Sequence, residues 1–161
     1  MTPLRSERGT IALTTLVVLP LLLVMLGVVA ELGVVRVLAA RARSAADLAT
    51  LVAIDDQDGA ELARSGRLRP SLDAADVARD YFARNLRPIA AMLGSTPETI
   101  AASADVGIFS DVPATDPLTG ARYDYPTARL AAEVPVRTPL FAALMGSPVT
   151  RVAVRAASAA R

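Results

Sequence analysis

Cysteine, histidine and lysine are absent from the 161 residues, and aromatic residues make up only 4%. Without cysteine there is no disulfide, no thiolate nucleophile and no sulfur ligand for a metal. Without histidine there is no imidazole ligand, and the side chain that most often shuttles protons in catalysis is missing. The lack of disulfides leaves the compartment open, because many exported bacterial proteins have none. All seventeen basic residues are arginine, which with the abundant alanine reads as the bias of a GC-rich bacterial genome. A net charge of +1 gives no electrostatic case for nucleic acid. The 53% hydrophobic content is therefore built from alanine, valine and leucine rather than a large aromatic core. The length leaves room for one compact domain beside a membrane anchor.

What the sequence does have is an uncharged run from Gly9 to Ala30, GTIALTTLVVLPLLLVMLGVVA. As a helix it extends roughly 33 Å, enough for a hydrocarbon layer of ~30 Å. Thirteen of its residues are Leu, Ile or Val, each worth about −0.3 to −0.6 kcal/mol near the bilayer centre. Pro20 predicts a kink that membrane helices tolerate. A buried core helix of this length would carry a polar face, and a cleaved secretory signal would have a shorter apolar region. Here apolar character continues through Val34, Val35, Val37 and Leu38. The sequence therefore predicts a retained single-pass anchor. Arg5 and Arg8 precede it, although Arg36, Arg41 and Arg43 follow closely, and the short basic tail favours a cytoplasmic N-terminus. The expected organisation is a cytoplasmic tail at 1–8, a transmembrane helix at 9–30, a helical stalk at 31–54 and an extracytoplasmic domain at 55–161.

The helix is expected to run on past the membrane, because Glu31 to Ile54 contains no proline. Val28, Glu31, Val35, Leu38, Ala42, Ala45, Ala49 and Val52 recur at steps of three and four, a seam of period 3.5 with small residues where a second helix could approach. Arg36, Ala40, Arg43 and Asp47 form a more polar stripe beside it. Two readings are open: the seam packs on the protein's own domain, or it contacts another subunit. The candidate interaction residues are Glu31, Val35, Leu38, Ala42, Ala45, Asp47 and Ala49. Glu31 either sits among lipid headgroups or pairs with a partner's cation, as intramembrane acids do.

Asp55-Asp56-Gln57-Asp58-Gly59 is only superficially a calcium loop. With Gly59 at the sixth position, Ile54 and Ser65 occupy the first and twelfth, where carboxylates are needed. A solvated acidic turn is expected instead. Ser71 as a cap, then Leu72, Ala75, Ala78, Phe82 and Leu86, predict a second helix, with Asp80 and Arg84 paired on its exposed face. Asp76 and Asp80 among arginines read as a solvated face rather than a catalytic dyad. Thr96-Pro97-Glu98 looks like the start of a short helix.

The remainder reads as strands. Leu130, Ala132, Val134 and Val136 alternate with Arg129, Ala131, Glu133 and Arg137, and Thr150 to Ala156 alternates likewise, as in a half-buried antiparallel sheet. Pro135 implies an edge position or a bulge. Val106 to Phe109 is a weaker third strand, and Asp116 to Gly120 a turn. Between the two strong strands, Pro139 to Gly146 predicts a helical turn ended by Gly146. The fold class is α+β: a long N-terminal helix, then helices packed on an antiparallel sheet of about three strands, pilin-like in overall shape.

The chain resembles the TadE/TadG-like proteins of the tight-adherence (Flp) pilus system. The likeness rests on Arg8-Gly9 before an apolar run with Pro20, followed by Glu31-Leu32-Gly33. It rests also on Arg43-Ser44-Ala45-Ala46-Asp47-Leu48-Ala49, and on Val134-Pro135-Val136, Pro139-Leu140-Phe141, Leu144-Met145-Gly146 and Val152 to Ala157 in that order. Tyr81-Phe82 with Asn85 matches more loosely. The resemblance implies a non-enzymatic inner-membrane component of a pilus-assembly or secretion machine, whose partners are the bilayer and pilus-machine proteins or pilin-like subunits. It implies no cofactor, small-molecule substrate or nucleic acid. Two features depart from the pattern. Cutting after Gly9 would put Thr14 where prepilin processing needs Glu, and the D-x-S-x-S metal motif of longer relatives is missing. A generic membrane-tethered binding protein is the alternative.

Overall fold

The computed structural model describes residues 5–67 and 69–160, with side chains from Thr14 onward. Residues 1–4 of the expected tail, and the side chains of Arg5 and Arg8, lie outside that description. Helix α1 runs without interruption from Arg5 to Asp55 and passes Pro20 on the way. The part from Thr14 is long and apolar enough to cross a membrane, its most apolar window having a mean hydropathy of 2.5 with no residue buried inside the protein.

The character of α1 changes where its neighbours do. Leu38, Ala42, Ala45, Ala46, Ala49, Ala53 and Ile54 are buried. The small side chains let α3 (Ala74–Leu86) and the sheet approach the helix closely. Helix α3 presents Ala74, Ala78, Phe82, Ala83 and Leu86 to this core, at the steps of three and four expected of a buried face. Its cap position is Asp73, not Ser71, and Leu72 is 98% exposed. Ser71 instead donates its hydroxyl to Asp56, tying the start of this region to the end of α1. Arg79 pairs with Asp76 at 2.9 Å and Arg84 with Asp80 at 2.7 Å, on the exposed face.

The acidic turn is put to structural use. Asp58 caps a short helix α2 (Gly59–Ser65), which the sequence reading missed, by accepting from the N–H groups of Ala60 and Glu61 at 2.9 and 3.1 Å. A 3₁₀ turn, Arg87–Met92, follows α3. Then comes α4 (Pro97–Ala102), whose Thr96 hydroxyl accepts from Thr99 N–H.

Three antiparallel strands form the main sheet: β1 (Asp105–Phe109), β4 (Thr127–Arg137) and β5 (Val149–Ala159), in the order β1-β4-β5. A small ribbon of β2 (Ala114–Thr115) and β3 (Arg122–Tyr123) flanks the turn at 116–120. Pro135 lies in the central strand, yet β1 covers β4 only as far as Ala131. The Pro135 carbonyl points to this vacated flank, where Gly94 N–H donates to it at 2.8 Å, so the missing proline donor also faces the open side. Helix α5 (Pro139–Met145) links β4 to β5 and ends on Gly146 at φ 73°, the left-handed cap conformation.

Candidate interaction site

Helix α5 begins with an unsolved donor problem. Pro139 has no N–H, and the Thr138 side chain makes no capping bond. The N–H groups of Leu140 and Phe141 would be left without partners. Glu31 meets both: one carboxylate oxygen accepts from Leu140 N–H and the other from Phe141 N–H, each at 2.9 Å. A negative charge at a helix N-terminus also opposes the positive end of the helix dipole. One turn earlier on α1, Gly27 faces the Leu140 side chain so closely that a Cβ there would lie 2.9 Å from Leu140 Cδ2. Gly27 provides the space and Glu31 the acceptors, and together they dock the β4–β5 connection on the end of the apolar run.

The other candidate residues divide by burial. Leu38, Ala42, Ala45 and Ala49 lie in the protein's own core, with Val35 half-buried against it. Of the two readings of the seam, packing on its own domain is the arrangement seen here. Asp47 is exposed, and its backbone carbonyl accepts from the Thr50 hydroxyl at 3.0 Å. Thr50, itself buried, also bonds Ser158 of β5 at 2.9 Å and pins α1 to the sheet. Glu31 uses both oxygens within the chain.

A second periodic stripe of α1 stays uncovered. Val34, Val37, Arg41, Ser44, Leu48 and Leu51 recur at steps of three and four and are all exposed. Beside them Asn85, Pro88 and Ile89 form the far wall of a shallow groove whose near wall is Arg41, Ser44 and Leu48. The sequence showed this spacing too, but Arg41 and Ser44 interrupt its apolar members and the seam beside it is more uniformly apolar.

Charge is concentrated elsewhere, on the outer face of the sheet. Arg129, on the more polar face of its strand, is buried with a side chain only 7% exposed. Both terminal guanidinium nitrogens reach Asp105 at 3.2 Å, and Nε lies 3.1 Å from the fully buried Asp116 carboxylate. Gly107, paired with Arg129 across the ladder, leaves room for the guanidinium, since a Cβ there would lie 3.0 Å from Nη2. Burial pushes the Asp116 carboxyl up. The Thr119 hydroxyl, the Leu118 N–H and the Arg129 charge outweigh that and hold its pKa below the ordinary 3.8. Both Asp116 oxygens are committed, one to Leu118 N–H and the other to the Thr119 hydroxyl and Arg129, so the cluster fixes the 116–120 turn on the sheet. Among the described residues, no three acidic side chains converge to hold a metal ion.

No curated protein and no solved structure matches the chain. One family model does, over residues 9–65: putative Flp pilus-assembly TadE/G-like. The matched segment holds the apolar run, Gly27, Glu31, the buried seam and the exposed stripe, whereas the stretches at Tyr81–Asn85 and Val134–Ala157 on which the resemblance also rested lie outside it. Over residues 9–65, therefore, the chain is similar to the putative Flp pilus-assembly TadE/G-like family.

Proposed function

We propose that this protein is a non-enzymatic, membrane-anchored component of a Flp-type pilus assembly or secretion machine, working by protein–protein contact. The cytoplasmic tail precedes the span and the domain stands outside the cytoplasm. The observation that carries this reading is the continuity of α1: one helix supplies both the apolar run and, from Leu38 to Ile54, a wall of the domain core. The domain cannot be released by cleavage near Ala39 or Ala40 without losing Leu38 and the Glu31 clamp, which favours a retained anchor. With the seam occupied internally, the exposed stripe from Val34 to Leu51 and its groove are the surface for pilin-like subunits or machine proteins.

The absence of native cysteine permits a direct test. Val37→Cys and Leu48→Cys, introduced singly, are expected to cross-link to pilus-machine or pilin-like proteins in cells that assemble the pilus. Arg79→Cys, on the exposed face of α3, is expected to stay unlinked. Equal adducts at all three positions, or none at Val37 and Leu48, would reject the stripe as the contact. The intact mass of the membrane-extracted protein tests the anchor separately: loss through Gly9 would mean pilin-like processing, and loss near Ala40 would mean secretion.

A further inference from the structure

We infer that α5 is an interfacial foot: a short helix resting in the outer surface of the bilayer, with Leu144 and Met145 among lipid chains. This rests on the membrane-anchored reading above. From Thr138 to Pro148 the β4–β5 connection contains no charged residue, and every residue of α5 is apolar. None of them is buried, and Leu144 and Met145 are 50% and 77% exposed. A water-facing connection between two long strands has no reason to be of this composition.

Its position explains the composition. Leu140 packs on Gly27, inside the uncharged run, and its N–H and that of Phe141 bond Glu31, the first charged residue after that run. Helix α5 therefore starts at the level where α1 leaves the hydrocarbon. Seven residues of helix extend only about 10 Å, so no part of α5 lies further than about that distance from this level. Lipid, rather than a second protein, is the occupant this continuity supports, because the same apolar surface that meets the acyl chains on α1 continues sideways onto α5. The clamp also satisfies the N-terminal donors of α5, which interfacial insertion requires. Exposed Arg137, just before α5, and Arg36, five residues beyond Glu31, stand where lipid phosphates would lie.

The chain has no tryptophan, so a single introduced one is a site-specific depth reporter. Met145→Trp, Leu19→Trp and Leu72→Trp would each be made in the full chain. They would be reconstituted in phosphatidylcholine–phosphatidylglycerol vesicles with and without brominated acyl chains. The expected result for Met145→Trp is blue-shifted emission, strong loss of intensity with brominated lipid and little loss with aqueous iodide. Leu19→Trp, in mid-span, should respond to bromine still more strongly, and Leu72→Trp only to iodide. Iodide quenching at position 145 with bromine quenching retained at position 19 would overturn the foot and leave the anchor standing. Shielding of position 145 from both quenchers would overturn it in favour of a protein cover. Iodide quenching at both 19 and 145 would overturn the anchor itself.

Discussion

The Glu31 carboxylate accepts the backbone N–H of Phe141, 110 residues further along the chain, at 2.9 Å. With its twin bond to Leu140 it is a capping interaction delivered from another helix. Removing a cap costs ~0.5–2 kcal/mol, and hydrogen bonds to a charged group ~1.5–3. Glu31→Ala is therefore expected to destabilise the domain by about 1–2 kcal/mol in detergent unfolding and to speed amide exchange at Leu140 and Phe141. Glu31→Gln, which keeps one acceptor oxygen, should fall between. Exchange at those two amides unchanged in Glu31→Ala would mean the clamp contributes nothing.

The buried seam and the exposed stripe make opposite predictions from neighbouring residues of the same helix. Ala46 is fully buried, so Ala46→Leu must push α1 away from its neighbours and is expected to cost about 1–3 kcal/mol. Leu48 is half exposed, so Leu48→Ala should stay within about 0.5 kcal/mol of the parent while weakening contact with pilus-machine proteins. Chemical denaturation measures the first and co-purification from pilus-forming cells the second. A stability loss for Leu48→Ala equal to that of Ala46→Leu would mean that the stripe is part of the core.

Much of this arrangement was legible because local periodicity reports what a segment packs against. The uncharged run, the 3.5-residue seam, the alternation in β4 and β5, the Thr96 cap and the Gly146 stop all have signatures within a few residues. The Glu31–α5 clamp has none. A carboxylate and two N–H groups more than a hundred residues apart meet only after the β4–β5 hairpin folds back along α1. The burial of Arg129 has no local signature either: strand alternation says which way a side chain points, but not that the 116–120 turn would fold over it. Ser71 offered the right residue type for a cap, yet the bond to Asp56 took its hydroxyl.

The Asp116–Arg129 pair predicts an acid response. Because the folded pKa of Asp116 is lowered from 3.8, the unfolded chain binds its proton first as pH falls. The stabilisation it gives is complete above that ordinary value and is lost as pH drops through the lowered one. Asp116→Asn should cost up to about 3 kcal/mol at neutral pH, since it leaves a buried guanidinium with Asp105 alone. Its stability should then vary less than the parent's below about pH 5. Parallel stability curves for parent and variant from pH 7 to 3 would contradict the coupling.

Gly27 and Glu31 serve one contact, so their substitutions should not add. Gly27→Ala brings a methyl against the mobile end of Leu140, which can turn aside, and alanine favours the helix by about 1 kcal/mol over glycine. That variant should match or exceed the parent. Gly27→Leu has no such escape and should lift α5 from α1, stretching the two bonds to Glu31. Once α5 is lifted, Glu31→Ala has little left to remove. In a double-mutant cycle read by unfolding in detergent, the loss in Gly27→Leu/Glu31→Ala should fall short of the sum of the single losses by at least about 0.5 kcal/mol. Strict additivity would show that the glycine and the carboxylate act on separate features, and that α5 is not held as one docked unit.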